Sequence, residues 1–230
     1  MTTKDSNTLR LELSRIQKLI GRRMAQSKQT KPCFYLNAKA DITEVTRIRR
    51  PLCKKLGARI ATNDFYIRAM ALAIEKFPLI AGVFKTDHIQ IAEEINVGLA
   101  VASPVGLVVP VVKRANTKSL AEIGKDTAEL IAKAKNNKLA LDDLEGACIT
   151  LTALGMFGIE SFLAVPSIGQ GSIISVGKII EVPVPIDGDI ITRKHIELAI
   201  AADHTVVNGD YAAKFLNAVV TMLESPESLL

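Results

Sequence analysis

The chain of 230 residues has no tryptophan, three tyrosines and seven phenylalanines, so aromatics make up only 4%. With so few aromatics, and with basic residues scattered rather than clustered, base stacking is excluded as a binding mode, and no nucleic-acid partner is expected despite a net charge of +5. Cysteine is equally scarce. Cys33, Cys53 and Cys148 are odd in number and far apart, which matches neither a disulfide framework nor a metal-ligand spacing. They read as small core residues in a reducing compartment. No run approaches the roughly 20 apolar residues that span a bilayer. The segment from Met1 to Asn7 has neither the apolar centre of a secretory signal nor the arginines of a presequence. No membrane partner is expected, and the cytoplasm is the expected compartment, although a mature chain of the mitochondrial matrix would read the same way.

What remains is a chain with 48% hydrophobic and 23% charged residues, enough for one substantial core. No internal repeat or low-complexity linker divides it. Helical spacing marks Leu13 to Gln29, Ile42 to Lys55, and Asn63 to Lys76, the last with a cap near Thr62 and Asn63. A further helix, capped by Ser119, extends to about Asn137, and the last begins at Asp210. Strands are expected at Phe34 to Asp41, Gly146 to Leu154, Ser172 to Val182 and Ile196 to Ala201. The apolar stretch from Ile95 to Val112, broken by Ser103-Pro104-Val105-Gly106, reads as a hairpin of two buried strands. Helices and strands mix without regular βαβ alternation, which predicts an α+β sandwich with a mixed sheet.

The chemistry concentrates in Asp203-His204-Thr205-Val206-Val207-Asn208-Gly209. A histidine delivered by a strand end into a tight turn is placed for proton transfer, because imidazole titrates near neutral pH. The other two histidines, His88 and His195, stand in turn-like or strand-edge settings and read as structural.

The spacing His-x-x-x-Asn-Gly resembles the His-x-x-x-Asp-Gly signature of the coenzyme A-dependent acyltransferases, which include the E2 components of 2-oxo acid dehydrogenase complexes and the chloramphenicol acetyltransferases. The resemblance to the E2 catalytic domain runs along nearly the whole chain from Ile16. It includes Gly21 to Thr30 with Pro32-Cys33-Phe34-Tyr35, then Asn63-Asp64-Phe65, Asn96 to Val101, and Gly106 to Val111. Leu120 to Ile123, Thr150 to Gly158, Phe215-Leu216 and the terminal Leu229-Leu230 follow in the family's order. It implies a chloramphenicol acetyltransferase-like two-layer fold that forms a homotrimer, with channels between subunits and assembly into a larger shell. The domain division it implies is an N-terminal arm over residues 1–15 and a catalytic domain over 16–230.

The activity implied is acyl transfer between dihydrolipoamide and coenzyme A, coenzyme A being a substrate. His204 would be the base that takes the thiol proton, since only the thiolate is a strong nucleophile. Thr152 stands where the family has a serine that donates to the oxyanion, and threonine keeps that hydroxyl. Asn208 departs from the family's aspartate, Thr205 from its usual arginine, Ala81 from an asparagine, and Pro166 to Gln170 from a stretch containing Asn-Pro-Pro. Losing the carboxylate could weaken the base, so restoring it with Asn208→Asp is expected to change activity, upward rather than downward. The chain contains no lipoyl domain, so the lipoyl group would come from another domain or protein, and E1- and E3-type subunits are possible partners. Two other readings stand beside this one: a catalytically impaired core protein with the E2 fold, and a free-standing acetyltransferase acting on a small acceptor. Leu229 and Leu230 are expected to seat in a neighbouring trimer.

Overall fold

The computed structural model describes residues 2–5 and 8–230, with side chains from Arg10 onward. A short antiparallel pair, β1 (Thr2–Asp5) and β2 (Thr8–Leu11), leads into helix α1 (Arg15–Thr30). There follow β3 (Cys33–Asp41), α2 (Thr43–Leu56), α3 (Thr62–Lys76), β4 (Gly82–Phe84), β5 (Ile89–Ile91) and β6 (Val97–Leu99). The middle holds β7 (Val101–Ser103), β8 (Gly106–Val108), β9 (Val111–Val112), α4 (Leu120–Lys135) and β10 (Ile149–Ala153). The last elements are β11 (Ser172–Val176), β12 (Ile180–Ile186), β13 (Asp189–Asp203) and α5 (Gly209–Glu224). Seven strands form one mixed sheet in the order β12-β13-β11-β10-β6-β9, with β3 on the other side of β13. β10 runs parallel to both β11 and β6, and the remaining pairings are antiparallel. The expected mixed sheet is therefore present. Among the described residues no helix is long and apolar enough to cross a membrane.

Helices α3 and α5 pack together and supply the largest core side chains, with Phe65, Ile67, Met70, Ile74 and Phe215 fully buried. The stripe Ala212, Phe215, Leu216, Val219 and Leu223 follows the 3.6-residue period that the sequence displays. α4 begins with a reciprocal cap, the Ser119 hydroxyl accepting from the Glu122 N–H while the Glu122 carboxylate accepts from the Ser119 N–H. α3 starts differently from the expectation. Its first residue is Thr62, and Ala61 holds the capping position with no side-chain acceptor. The Asp64 carboxylate reaches back to accept the N–H of Ala61 itself at 2.7 Å, the half of a capping box that does not need a side chain on the cap residue.

Four further expectations are corrected. The stretch Ser172 to Val182 is two strands, because the chain breaks at Gly177 between β11 and β12. β13 is 15 residues long rather than a short apolar strand, since its polar first half pairs with β12 across the Asp187-Gly188 turn. Asp187 (φ 51°) and Gly188 (φ 92°) both lie in the left-handed region that such a two-residue hairpin requires. The Ile95–Val112 hairpin is buried only at its base, where β6 pairs with β9. Its β7–β8 tip leaves Val105 and Leu107 exposed. Finally, Leu229 is fully buried in this subunit's own core while Leu230 is 63% exposed. Enclosing Leu229 is worth roughly 1.5–3 kcal/mol, enough to fold the terminus inward without a neighbour.

Gly177 is where the sheet and the segment following β10 come closest. A methyl group there would sit 1.6 Å from the Glu160 carbonyl oxygen, and one on Gly155 would sit 2.7 Å from the Gly177 oxygen. Both contacts are with backbone, which cannot swing aside. Gly177→Ala is expected to lower stability by at least about 3 kcal/mol, read as a shifted denaturant midpoint against wild type. A midpoint within error of wild type would show that the crossing is not close-packed.

Candidate active site

The His204 turn is built by the residues around it. The buried second half of β13, Ile196 to Ala202, carries the chain to Asp203, which is itself 4% exposed. There Asp203 Oδ1 accepts both the Thr205 N–H (3.0 Å) and the Thr205 hydroxyl (2.6 Å), closing a tight turn over His204. The Asp203 carbonyl accepts from Val206 and Val207, whose side chains anchor the turn in the core. The His204 N–H donates to the Pro32 carbonyl at 3.2 Å, and the imidazole lies against the Phe34 ring with centroids 4.8 Å apart. His204 and Thr205 are exposed at the crest of this turn.

Asn208 ends the turn by capping α5. Its Oδ1 accepts the Tyr211 N–H at 2.9 Å, the ordinary N-cap geometry. Sequence reasoning placed Asn208 in the site without foreseeing this task. An aspartate would cap equally well and add favourable charge at the helix N-terminus. Asn208→Ala is expected to cost about 1 kcal/mol, whereas Asn208→Asp leaves stability unchanged or slightly higher, both read from thermal or denaturant midpoints. Equal midpoints for Asn208→Ala and wild type would remove the capping role.

Behind the turn, the segment Pro166 to Gln170 is fastened to α1 and β10. Ser27 Oγ donates to the Pro166 carbonyl (2.5 Å), and Lys31 Nζ donates to the Ser167 carbonyl (2.7 Å) and Ser27 Oγ (3.1 Å). Gln170 accepts the Thr150 hydroxyl and donates to the Ala147 carbonyl. Burial holds the Lys31 ammonium below its ordinary pKa, against the opposing pull of Asp203. Burial and the Asp203 charge push the Cys33 thiol up, so it stays a thiol. Burial likewise pushes Cys148 up to about 11, in keeping with a structural cysteine.

Thr152 is half-buried near the end of β10. Of the two threonines in this strand, Thr150 has its hydroxyl engaged by Gln170, while that of Thr152 has no partner among the described residues. Thr152 is thus the one with a donor to offer. The structure does not bring it to His204 within one subunit. Thr152 pairs with Ser175, which pairs with Ala199, and His204 lies five residues further on. That places it about 16 Å along the strand and about 10 Å across the sheet.

His88 is exposed beside Asp87 at the β4–β5 hairpin, and His195 approaches Asp41 at 3.9 Å. Their nearest charged partners, Asp87 and Asp41, lie outside the 203–208 turn. A cleft of about 580 Å³ lined by Ala81, Lys85, Asn96, Gly146 and Cys148, among others, contains none of His204, Thr152 or Asn208. The Asp203–Thr205 clasp and the Phe34 contact were missed from sequence. Asp-x-Thr, whose carboxylate bonds the backbone two residues on, is the local signal for the first that went unread. Among the described residues no cluster of three or more His, Cys, Asp or Glu side chains is arranged to hold a metal.

Fold and turn together define the class. Chloramphenicol acetyltransferase superposes over 88% of this chain and 94% of its own, with a TM-score of 0.53 at 14% identity, which shows a shared two-layer fold. The family model for the 2-oxoacid dehydrogenases acyltransferase catalytic domain matches residues 5–230, and the chain belongs to that family. It is 35% identical over 219 residues to the dihydrolipoyllysine-residue acetyltransferase component of the pyruvate dehydrogenase complex of Rickettsia felis, covering 94% of this chain. It spans 53% of that relative's length, about half. The cubic core of the pyruvate dehydrogenase multienzyme complex superposes with a TM-score of 0.89 at 27% identity, over 96% of this chain and 93% of that one. Azotobacter vinelandii dihydrolipoamide acetyltransferase superposes with the same TM-score and coverage at 26% identity. In that protein a serine, a histidine and an asparagine were investigated for their role in the catalytic mechanism. The histidine follows the serine by 52 residues and the asparagine follows the histidine by four. Here His204 follows Thr152 by 52 residues and Asn208 follows His204 by four.

Proposed function

We propose that this chain transfers an acyl group between dihydrolipoamide and coenzyme A as the catalytic core of a 2-oxo acid dehydrogenase-type complex. The observation that carries the reading is the paired interval from Thr152 to His204 to Asn208, shared with the Azotobacter vinelandii enzyme, on a turn that exposes the histidine. Asparagine at the third position is present in that relative too, so Asn208 carries no argument for an impaired catalyst.

In this mechanism His204 accepts the coenzyme A thiol proton, and the thiolate attacks the thioester carbonyl of acyl-dihydrolipoamide. The tetrahedral oxyanion receives the Thr152 hydroxyl hydrogen bond. Collapse expels the dihydrolipoamide sulfur, which takes the proton back from the imidazolium. Asn208 serves by fixing the start of α5 and so the end of the turn. Because His204 and Thr152 of one subunit lie far apart, the site pairs His204 of one subunit with Thr152 of its neighbour in a homotrimer. The outward face of α1 supports this assembly. Ile16, Leu19, Ile20 and Met24 are all at least a third exposed, a stripe that an isolated subunit leaves in water. A larger shell of trimers, a lipoyl group supplied by another domain, and E1- and E3-type partners belong to the same proposal. So do the division into an arm over residues 1–15 and a catalytic domain over 16–230, and a cytoplasmic location, or the mitochondrial matrix for an organellar source.

The test is a thiol assay with acetyl-CoA and dihydrolipoamide. Release of free coenzyme A with formation of acetyl-dihydrolipoamide is the expected result. A well-folded wild type that transfers nothing to dihydrolipoamide would overturn the reading.

A further inference from the structure

The catalytic role proposed for His204 leaves open what holds an exposed imidazole in one direction. Among the described residues, the N–H of His204 bonds to the Pro32 carbonyl and its imidazole lies beside the Phe34 ring. Its ring makes no hydrogen bond to another residue among the described residues. The backbone on either side is held instead by a neighbour. Asp203 Oδ1 accepts two bonds from Thr205, one from the N–H and one from the hydroxyl, and both arch over His204. Asp203 itself is immovable. It is 4% exposed, its N–H donates to the Gly171 carbonyl at 2.9 Å, and it pairs across the sheet with Cys33. Lys31 and Cys33 are its titratable neighbours. The dihedral angles of His204 are therefore set by a three-residue ring whose anchor is buried in the sheet.

We infer that Asp203, acting through Thr205, is a positioning residue for His204. The inference rests on the reading of His204 as the base. Its physical basis is that proton transfer requires the imidazole within hydrogen-bond reach of the thiol, and a displacement of about 1 Å costs about 100-fold in rate. Asp203 does this through its acceptor oxygen. An amide oxygen in the same place accepts the same two bonds, so the conservative asparagine preserves the clasp.

The experiment compares wild type with Asp203→Ala, Asp203→Asn and Thr205→Val by steady-state kinetics. Solvent exchange of the imidazole C2 hydrogens, followed by mass spectrometry, is measured alongside. With His88 and His195 as the other two histidines, the exchange signal has internal references. Asp203→Ala is expected to lower kcat about 10- to 100-fold while KM for coenzyme A stays within about twofold. Asp203→Asn should recover kcat to within about threefold of wild type, and Thr205→Val, which keeps the backbone bond, should lose about 2- to 12-fold. The C2 exchange half-life of His204 should change by about twofold or more in the alanine and valine variants, with His88 and His195 unmoved. A folded Asp203→Ala with wild-type kcat and wild-type His204 exchange overturns the inference. So does Asp203→Asn as impaired as Asp203→Ala, which would assign the effect to charge instead of the clasp. Should Asp203→Ala not fold, Thr205→Val at its exposed position decides alone, and unchanged kcat and exchange there count against the clasp. Should wild type transfer no acyl group, the functional reading fails and the exchange measurement by itself decides whether the clasp orients His204.

Discussion

His204→Ala is expected to lower kcat for acyl transfer about 100- to 10,000-fold, the range for removing a positioned general base. The loss should be chemical and not structural. His204 is exposed, its backbone bond to Pro32 survives the substitution, and its side chain touches only Phe34 among the ring contacts of the turn. The measurement is the thiol assay on variant and wild type, accompanied by denaturant midpoints. A variant within about threefold of wild type in kcat would remove His204 from the reaction, because no catalytic base contributes so little.

The second large effect is expected at Thr152. Thr152→Val keeps the shape and β-branching but removes the hydroxyl, and losing one oxyanion donor costs about 100- to 1,000-fold in kcat. Thr152→Ser, which keeps the donor, should stay close to wild type. Equal activity of the valine and serine variants would make Thr152 a strand residue and nothing more. The separation of Thr152 and His204 along the sheet adds a further test. Neither inactive variant restores itself, yet trimers mixed from equal parts of His204→Ala and Thr152→Val subunits contain sites built from one intact His204 and one intact Thr152. Random mixing in a three-fold ring gives about a quarter of such sites, so the mixture should recover about a quarter of wild-type activity. No recovery on mixing would place the base and the donor in the same subunit.

The Asn208 case shows how a residue's role depends on context. Read against a family signature, the asparagine is a lost carboxylate and an argument for weakened catalysis. In the folded chain its side-chain oxygen caps α5, a task asparagine performs as well as aspartate. The Azotobacter vinelandii protein has an asparagine at the same interval after its histidine. The cap ties this position to stability, and the activity gain expected of Asn208→Asp is decided by the thiol assay on that variant.

Periodicity and punctuation by themselves determined the helices, the mixed sheet and the turn. α4 and α5 were readable because Ser119 with Glu122 is a local capping pair and the α5 stripe repeats every 3.6 residues, both properties of neighbouring residues. His204 was readable because an apolar strand followed by a polar turn isolates it. Tertiary structure alone decided the rest. The polar half of β13 is a strand because β12 lies beside it, not because its own residues alternate. Leu229 turned inward because α5 leaves a place for it in the core, and the apolar stripe of α1 stayed outside because none of the described elements covers it. The capping task of Asn208, the clasp on Asp203 and the distance between Thr152 and His204 all depend on where the backbone goes after each residue. Local pattern records what each segment prefers, and only packing records which partner it meets.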